Sequence, residues 1–126
     1  MFTLTPEDHL KLQGVNPKLV QVITKAAETA LVPFKVLEGL RSAADQMKAF
    51  KSGHSMRDGV HKLSNHQLGK AVDICPLING QPVVSSWTPF YPMAANVKAA
   101  AKALGIAITW GGDWKSFKDG PHFELA

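Results

Sequence analysis

Cysteine is nearly absent: Cys75 is the only one in 126 residues, which excludes an internal disulfide framework and a cysteine-built zinc cluster. Long apolar runs are missing too, and nothing approaches the roughly 20 residues of a membrane-spanning helix. Charge of one sign is never gathered into a block. The 14 Lys and Arg against 10 Asp and Glu leave a formal charge of +4 scattered along the chain. Without a Lys/Arg tract or a basic stripe interleaved with aromatics, nucleic acid is not the expected partner. The opening MFTLTPEDHLKL is amphipathic and acidic where an export signal is basic and then apolar, so neither export nor membrane insertion is expected. Repeats, low-complexity tracts and Pro/Gly/Ser linkers are lacking, and with them the marks of an appended binding module. The length suits one core and not two; one domain over residues 1–126, acting as a monomer, is the expectation.

What is present alternates short helical and strand signals. Thr5-Pro6 opens a brief helix or turn. Asn16 at an N-cap and Pro17 at the first helical position start a firmer helix running to about Ala30. Phe34 to Leu37 reads as a short buried strand, and Ser42 with Asp45 resembles a capping box for a second helix ending near Gly53. Gly69 to Ile78 is rich in Val and Ile and leads into Asn79-Gly80, a strong hairpin signal, with Gln81 to Val84 returning. Pro76 argues that this strand lies on an edge or ends early. Tyr91 to Leu104 is helical with Gly105 as its cap, and Ile106 to Trp110 and Pro121 to Leu125 read as closing strands. The class is α+β with a small antiparallel sheet and flanking helices.

Two segments carry the chemistry, SNHQLGKAVD at Ser64 to Asp73 and KDGPHFEL at Lys118 to Leu125. They supply His66, Asp73 and His122, two imidazoles and a carboxylate, the donor set that leaves one position open on catalytic zinc. Asp119, one turn before His122, adds a carboxylate suited to general base and acid work. Fully extended, His66 and Asp73 would stand roughly 20 Å apart at about 3.3 Å per residue. A bend is therefore required, and Gly69, free to take positive φ, is the place for it. Singly, His66 is an ordinary loop histidine, Asp73 an Asx-turn residue and Asp119-Gly120 an ordinary turn; together they read as a metal centre.

SNHQLGKAVD matches the SxHxxGxAxD motif of the zinc D-alanyl-D-alanine carboxypeptidases and of the L-alanyl-D-glutamate peptidases of phage endolysins, at Ser64, His66, Gly69, Ala71 and Asp73. WGGDW at Trp110 to Trp114 followed by DGPHFEL resembles the endolysin-like branch in particular. EGLRS at Glu38 to Ser42, with Gln46, resembles that family's upstream arginine segment. The resemblance implies a Hedgehog/DD-peptidase-like zinc peptidase fold. It implies that His66, Asp73 and His122 bind Zn2+, that Asp119 is the catalytic carboxylate, and that Arg41 contacts the substrate or the developing oxyanion. The carboxypeptidase relatives carry Glu where this chain has Asp119, one methylene shorter; the endolysin-like branch has Asp there, and Glu124 and Asp113 are the fallbacks. The implied activity is cleavage of the peptidoglycan stem peptide between L-Ala and D-Glu in phage-driven host lysis. The enzyme would be made in the host cytoplasm and reach the wall through a separate pore.

The remaining candidates have competing readings. Arg41 precedes a helix start, where an ion pair with Glu38 or Asp45 is the alternative to a substrate contact. His54 and His61 lie in the polar stretch Lys51 to Leu63, and His54 is the candidate there for a substrate contact. Ser64 orients a ligand or caps a turn; Trp110 and Trp114 line the cleft or pack in the core, while Trp87 reads as core or surface cover. Two other functions stay open, a D-Ala-D-Ala carboxypeptidase and a non-catalytic zinc-containing binding domain.

Overall fold

The computed structural model describes residues 2–30, 32–41, 47–48, 51–52, 65–116 and 118–126. Its first helix, α1 (Pro6–Lys11), is closed by a reciprocal cap: the Asp8 amide donates to Thr5 Oγ1 at 3.1 Å and the Thr5 amide to Asp8 Oδ2 at 2.9 Å. The other Asp8 oxygen accepts from the Val36 amide at 2.9 Å, so one buried carboxylate fastens α1 to the first strand. Helix α2 (Pro17–Thr29) starts as its sequence dictates, with the Asn16 side chain accepting from the Lys18 amide and Pro17 in the first turn. Its apolar stripe of Leu19, Val22, Ile23, Ala26 and Ala27 is fully buried. Helix α3 (Phe90–Leu104) packs against α2, and Asn96 donates to the Ala26 carbonyl at 2.7 Å. Gly105 ends it at φ 70°.

The strands are β1 (Phe34–Glu38), β2 (Ala71–Ile78), β3 (Gln81–Pro82), β4 (Ile108–Trp110) and β5 (His122–Leu125). All pairings are antiparallel in the order β1-β2-β5-β4, with β3 on the far end of β2. The core lies between the sheet and the two longer helices, with Phe34, Val36, Val72, Ile74 and Phe123 facing Leu19, Ile23, Met93 and Val97. The expected hairpin forms through Asn79 (φ 54°) and Gly80 (φ 78°), though its return strand stops at Pro82.

Pro76 requires a correction. Strand β2 is interior and runs on to Ile78 rather than lying at an edge or ending early. By strand alternation the Pro76 nitrogen faces the same side as the Ile74 amide, which donates to the Pro121 carbonyl just before β5 begins. Pro76 therefore falls past the last β2–β5 pair, where its carbonyl accepts from the Val83 amide at 2.9 Å and its missing N–H leaves the β2–β5 ladder unbroken. The helix expected from Ser42 lies largely outside the described residues; Met47, Lys48 and Lys51 are helical. No helix among the described residues is long and apolar enough to cross a membrane.

Because Asp8 satisfies two amides from a buried position, Asp8→Ala is expected to lower stability by about 2 kcal/mol. The change should be read as a lower urea midpoint at unchanged m-value, and Asp8→Asn, which keeps an acceptor, should recover part of it.

Candidate metal centre

Register brings two of the candidate ligands face to face. In the β2–β5 ladder Asp73 is the direct partner of His122, and opposed residues on one face of an antiparallel pair have neighbouring side chains. On its other side β2 pairs with β1, where a bulge between Val36 and Glu38 sets Glu38 opposite Asp73. His66 arrives from the preceding turn. That turn is closed by Lys70 donating to the Asn65 carbonyl at 2.8 Å, and Gly69 takes φ 71° as the bend requires. A Cβ on Gly69 would lie 2.6 Å from the Gly14 carbonyl oxygen, so the turn also needs glycine to dock on the α1–α2 connection.

The three donors converge. Asp73 Oδ1 stands 3.1 Å from His66 Nε2 and 3.2 Å from His122 Nδ1, and the three ligand atoms lie within 4.8 Å of one another. A tetrahedral zinc with bonds of about 2.0–2.1 Å needs ligand atoms about 3.3 Å apart, so the carboxylate–imidazole spacings suit such an ion. The far nitrogens are held as well. His66 Nδ1 lies 2.9 Å from the Gly39 carbonyl oxygen, and His122 Nε2 lies 2.7 Å from Glu124 Oε1. Donating the outer N–H to these oxygens leaves the inner nitrogen of each ring with its lone pair toward the centre. Glu124 is fixed in turn by Asn65 Nδ2 at 2.8 Å, and Trp114 packs on the His122 ring at 5.0 Å.

The electrostatics follow from this crowding. Burial alone would raise the Asp73 carboxyl, but hydrogen bonds from His122 and His66 outweigh it and hold the group well below the usual carboxylate range. Burial also works against a charged His122, yet its bonds to Asp73 and Glu124 prevail and push it up to about 9. Glu124 is lowered, first by its bond with His122. Asp119 moves the other way: burial and the Asp73 charge raise it against the pull of His122, His66 and Arg41.

Asp119 is placed by glycine. Its amide donates to the Gly111 carbonyl at 3.1 Å, and a Cβ on Gly111 would collide with the Asp119 carbonyl oxygen. Trp110 is 4% exposed, stacks on Phe123 and donates its indole N–H to the Gly120 carbonyl at 2.6 Å. Its observed work is to support the Asp119–Pro121 turn from beneath. Trp87, 42% exposed, lines the cleft of about 200 Å3 beside Asp119. Arg41 is locked by Glu38, whose carboxylate takes Nε at 2.6 Å and Nη2 at 2.8 Å. Burial, which would lower the Arg41 guanidinium, is outweighed by Glu38 and then by Asp73 and Asp119, so its charge is secure and faces the site's carboxylates. Asp113 is engaged elsewhere, 2.7 Å from Lys98. Ser64, His54, His61 and Asp45 lie outside the described residues. Glu124 is the functional residue whose place the sequence reading missed; its spacing two residues from His122 on a strand, hence on the same face, was the available signal.

Two outcomes are expected. Glu124→Ala should weaken metal affinity roughly 10- to 100-fold in a competition titration while the fold survives. In chelator-treated protein the raised His122 contributes stability fully present below the unfolded value of 6.5 and lost as pH rises through about 9. Metal binding must displace that proton, so the gap in Tm between metal-loaded and chelated protein should widen from pH 6.5 to 9.

Comparison with known proteins converges on one family. A family model described as phage L-alanyl-D-glutamate peptidase matches residues 1–126. The L-alanyl-D-glutamate peptidase of Escherichia phage T5 is 30% identical, covering 98% of both chains. The peptidoglycan L-alanyl-D-glutamate endopeptidase CwlK of Bacillus subtilis (strain 168) is 30% identical over 90% of this chain and 73% of its own length. Among solved structures, the Serratia marcescens L-Ala D-Glu endopeptidase ChiX superimposes with a TM-score of 0.86 at 41% identity, covering 98% of this chain and 89% of that one. The vancomycin-resistance D,D-dipeptidase VanXYg, at 17% identity and TM-score 0.55 over 88% of this chain and half of its own, shares the fold. With the His66–Asp73–His122 centre on this sheet, the chain belongs to the phage L-alanyl-D-glutamate peptidase family, peptidases that cleave peptidoglycan.

Proposed function

We propose that this peptidase hydrolyses the amide bond between L-Ala and D-Glu in the peptidoglycan stem peptide, using Zn2+ held by His66, Asp73 and His122. The observation that carries the reading is the convergence of those donors on one point with Asp119 inside the same field. When bound, zinc supplies the charge that polarises a carbonyl and brings a water's pKa down to about 7. The chain's own groups do the rest. Asp119, raised by burial and by Asp73, is suited to take the attacking water's proton and deliver it to the leaving amine. Arg41, its plane set by Glu38, offers a permanent charge to the oxyanion. The Gly39 carbonyl and Glu124 keep the two imidazoles from turning.

Relatives from Escherichia phage T5 and Listeria phage A118 bear the name L-alanyl-D-glutamate peptidase, which supports a role as a phage endolysin. The site of action would then be the cell wall, reached from the host cytoplasm through a separate pore. A single peptidase domain working as a monomer suits that role.

The test is digestion of purified peptidoglycan with mass spectrometry of the fragments. Release of new N-terminal D-Glu, abolished by chelator, is expected. Asp119→Ala should lower kcat by about 100-fold or more with metal content and fold intact. Free D-Ala instead would assign the protein to the carboxypeptidases, and no release from folded, metal-loaded protein would overturn the enzymatic reading on this substrate.

A further inference from the structure

Beside the metal centre, and sharing Asp119 with it, runs the cleft of about 200 Å3 lined by Val84, Trp87, Phe90, Lys118 and Pro121. Its wall mixes apolar side chains with polar groups, and Lys118 is the one cation among those lining residues. Lys118 is exposed, and no carboxylate among the described residues pairs with it. Arg41, a second cation near the centre among the described residues, has Nε and Nη2 taken by Glu38. Lys118 is thus a charge at the rim of a cleft that no carboxylate among the described residues neutralises.

Which part of the substrate enters this cleft follows from Asp119. A group that protonates the leaving amine must lie beside that nitrogen, so the space adjoining Asp119 receives the leaving-group side of the scissile bond. In the proposed reaction that side is D-Glu. Its α-carboxylate sits on the carbon that bears the leaving nitrogen, about 2.5 Å from it by backbone geometry. D-Glu continues through its side-chain carboxyl, so this α-carboxylate stays free unless amidated. A cation in the residue next to Asp119 is placed to meet it, while Val84, Trp87 and Phe90 offer apolar surface for the D-Glu methylenes.

We propose that Lys118 is a specificity-determining residue that reads the free α-carboxylate of D-Glu on the leaving-group side and so discriminates against stem peptides in which that carboxyl is amidated. The inference rests on the L-Ala–D-Glu reading of the site. One ammonium–carboxylate pair near the surface is worth up to about 1 kcal/mol, roughly fivefold in kcat/KM.

The experiment compares two synthetic stem tripeptides that differ only in carrying D-Glu or its α-carboxamide, with zinc-loaded wild type, Lys118→Ala and Lys118→Arg. Wild type is expected to favour the carboxylate peptide roughly fivefold, a preference weakened by added salt. The ratio should fall to near one in Lys118→Ala and persist in Lys118→Arg. A wild type that cleaves both peptides equally, or a ratio unmoved in Lys118→Ala, overturns the assignment of Lys118 while leaving the activity standing. Cleavage of neither peptide by wild type overturns the proposed activity, and this inference with it. The ratio within one variant cancels any loss of folded protein, so a merely structural effect of the substitution would not move it.

Discussion

Everything at this centre depends on the Asp73 carboxylate being shared by two imidazoles, and that sharing depends on register. Asp73 faces His122 because Val72 faces Phe123 and Ala71 faces Glu124 along the same ladder. Of those residues, Val72 and Phe123 belong to the hydrophobic core cluster. A slip of one residue would turn His122 toward the helices and Phe123 toward the cleft. Core packing and the geometry of the candidate metal centre are therefore one constraint: the hydrophobic face that holds β5 against β2 also sets the spacing of the three donor side chains.

Much of this was legible in the sequence for identifiable reasons. The helix start after Thr5-Pro6, the caps at Asn16 and Gly105 and the Asn79-Gly80 turn are local devices, decided by residues within a few positions of each other, and they stand where the sequence places them. The bend at Gly69 was required by distance alone, since His66 and Asp73 had to meet across seven positions, and its φ of 71° supplies it. Pro76 was misjudged because its effect depends on which neighbour lies beside its nitrogen, and that is a property of the sheet rather than of the strand.

The supporting shell of the site was harder to read. A carbonyl oxygen such as that of Gly39 has no residue-type signature, so its contact with His66 appears only in three dimensions. In the sequence Glu124 reads as a spare base, because a carboxylate beside a histidine looks the same whether it takes a proton from water or steadies a ring. Its 2.7 Å contact with the outer nitrogen of His122 and its own tether to Asn65 are what a ring-steadying role requires. Trp110 shows the converse: a tryptophan just before Gly111-Gly112 reads equally as cleft lining or core, and its burial, with the indole N–H on the Gly120 carbonyl, is visible only in three dimensions, as is the exposure of Trp87.

The bond from the Val36 amide to Asp8 has a further consequence. Strand β1 ends the β1-β2-β5-β4 order, and on its outer side the Val36 N–H would be a vacant donor for any extended chain that came alongside. The Asp8 carboxylate occupies that donor and, having only acceptors to offer, gives an incoming strand nothing to complete a ladder with. The same contact that anchors the first helix thus blunts one margin of the sheet against strand addition.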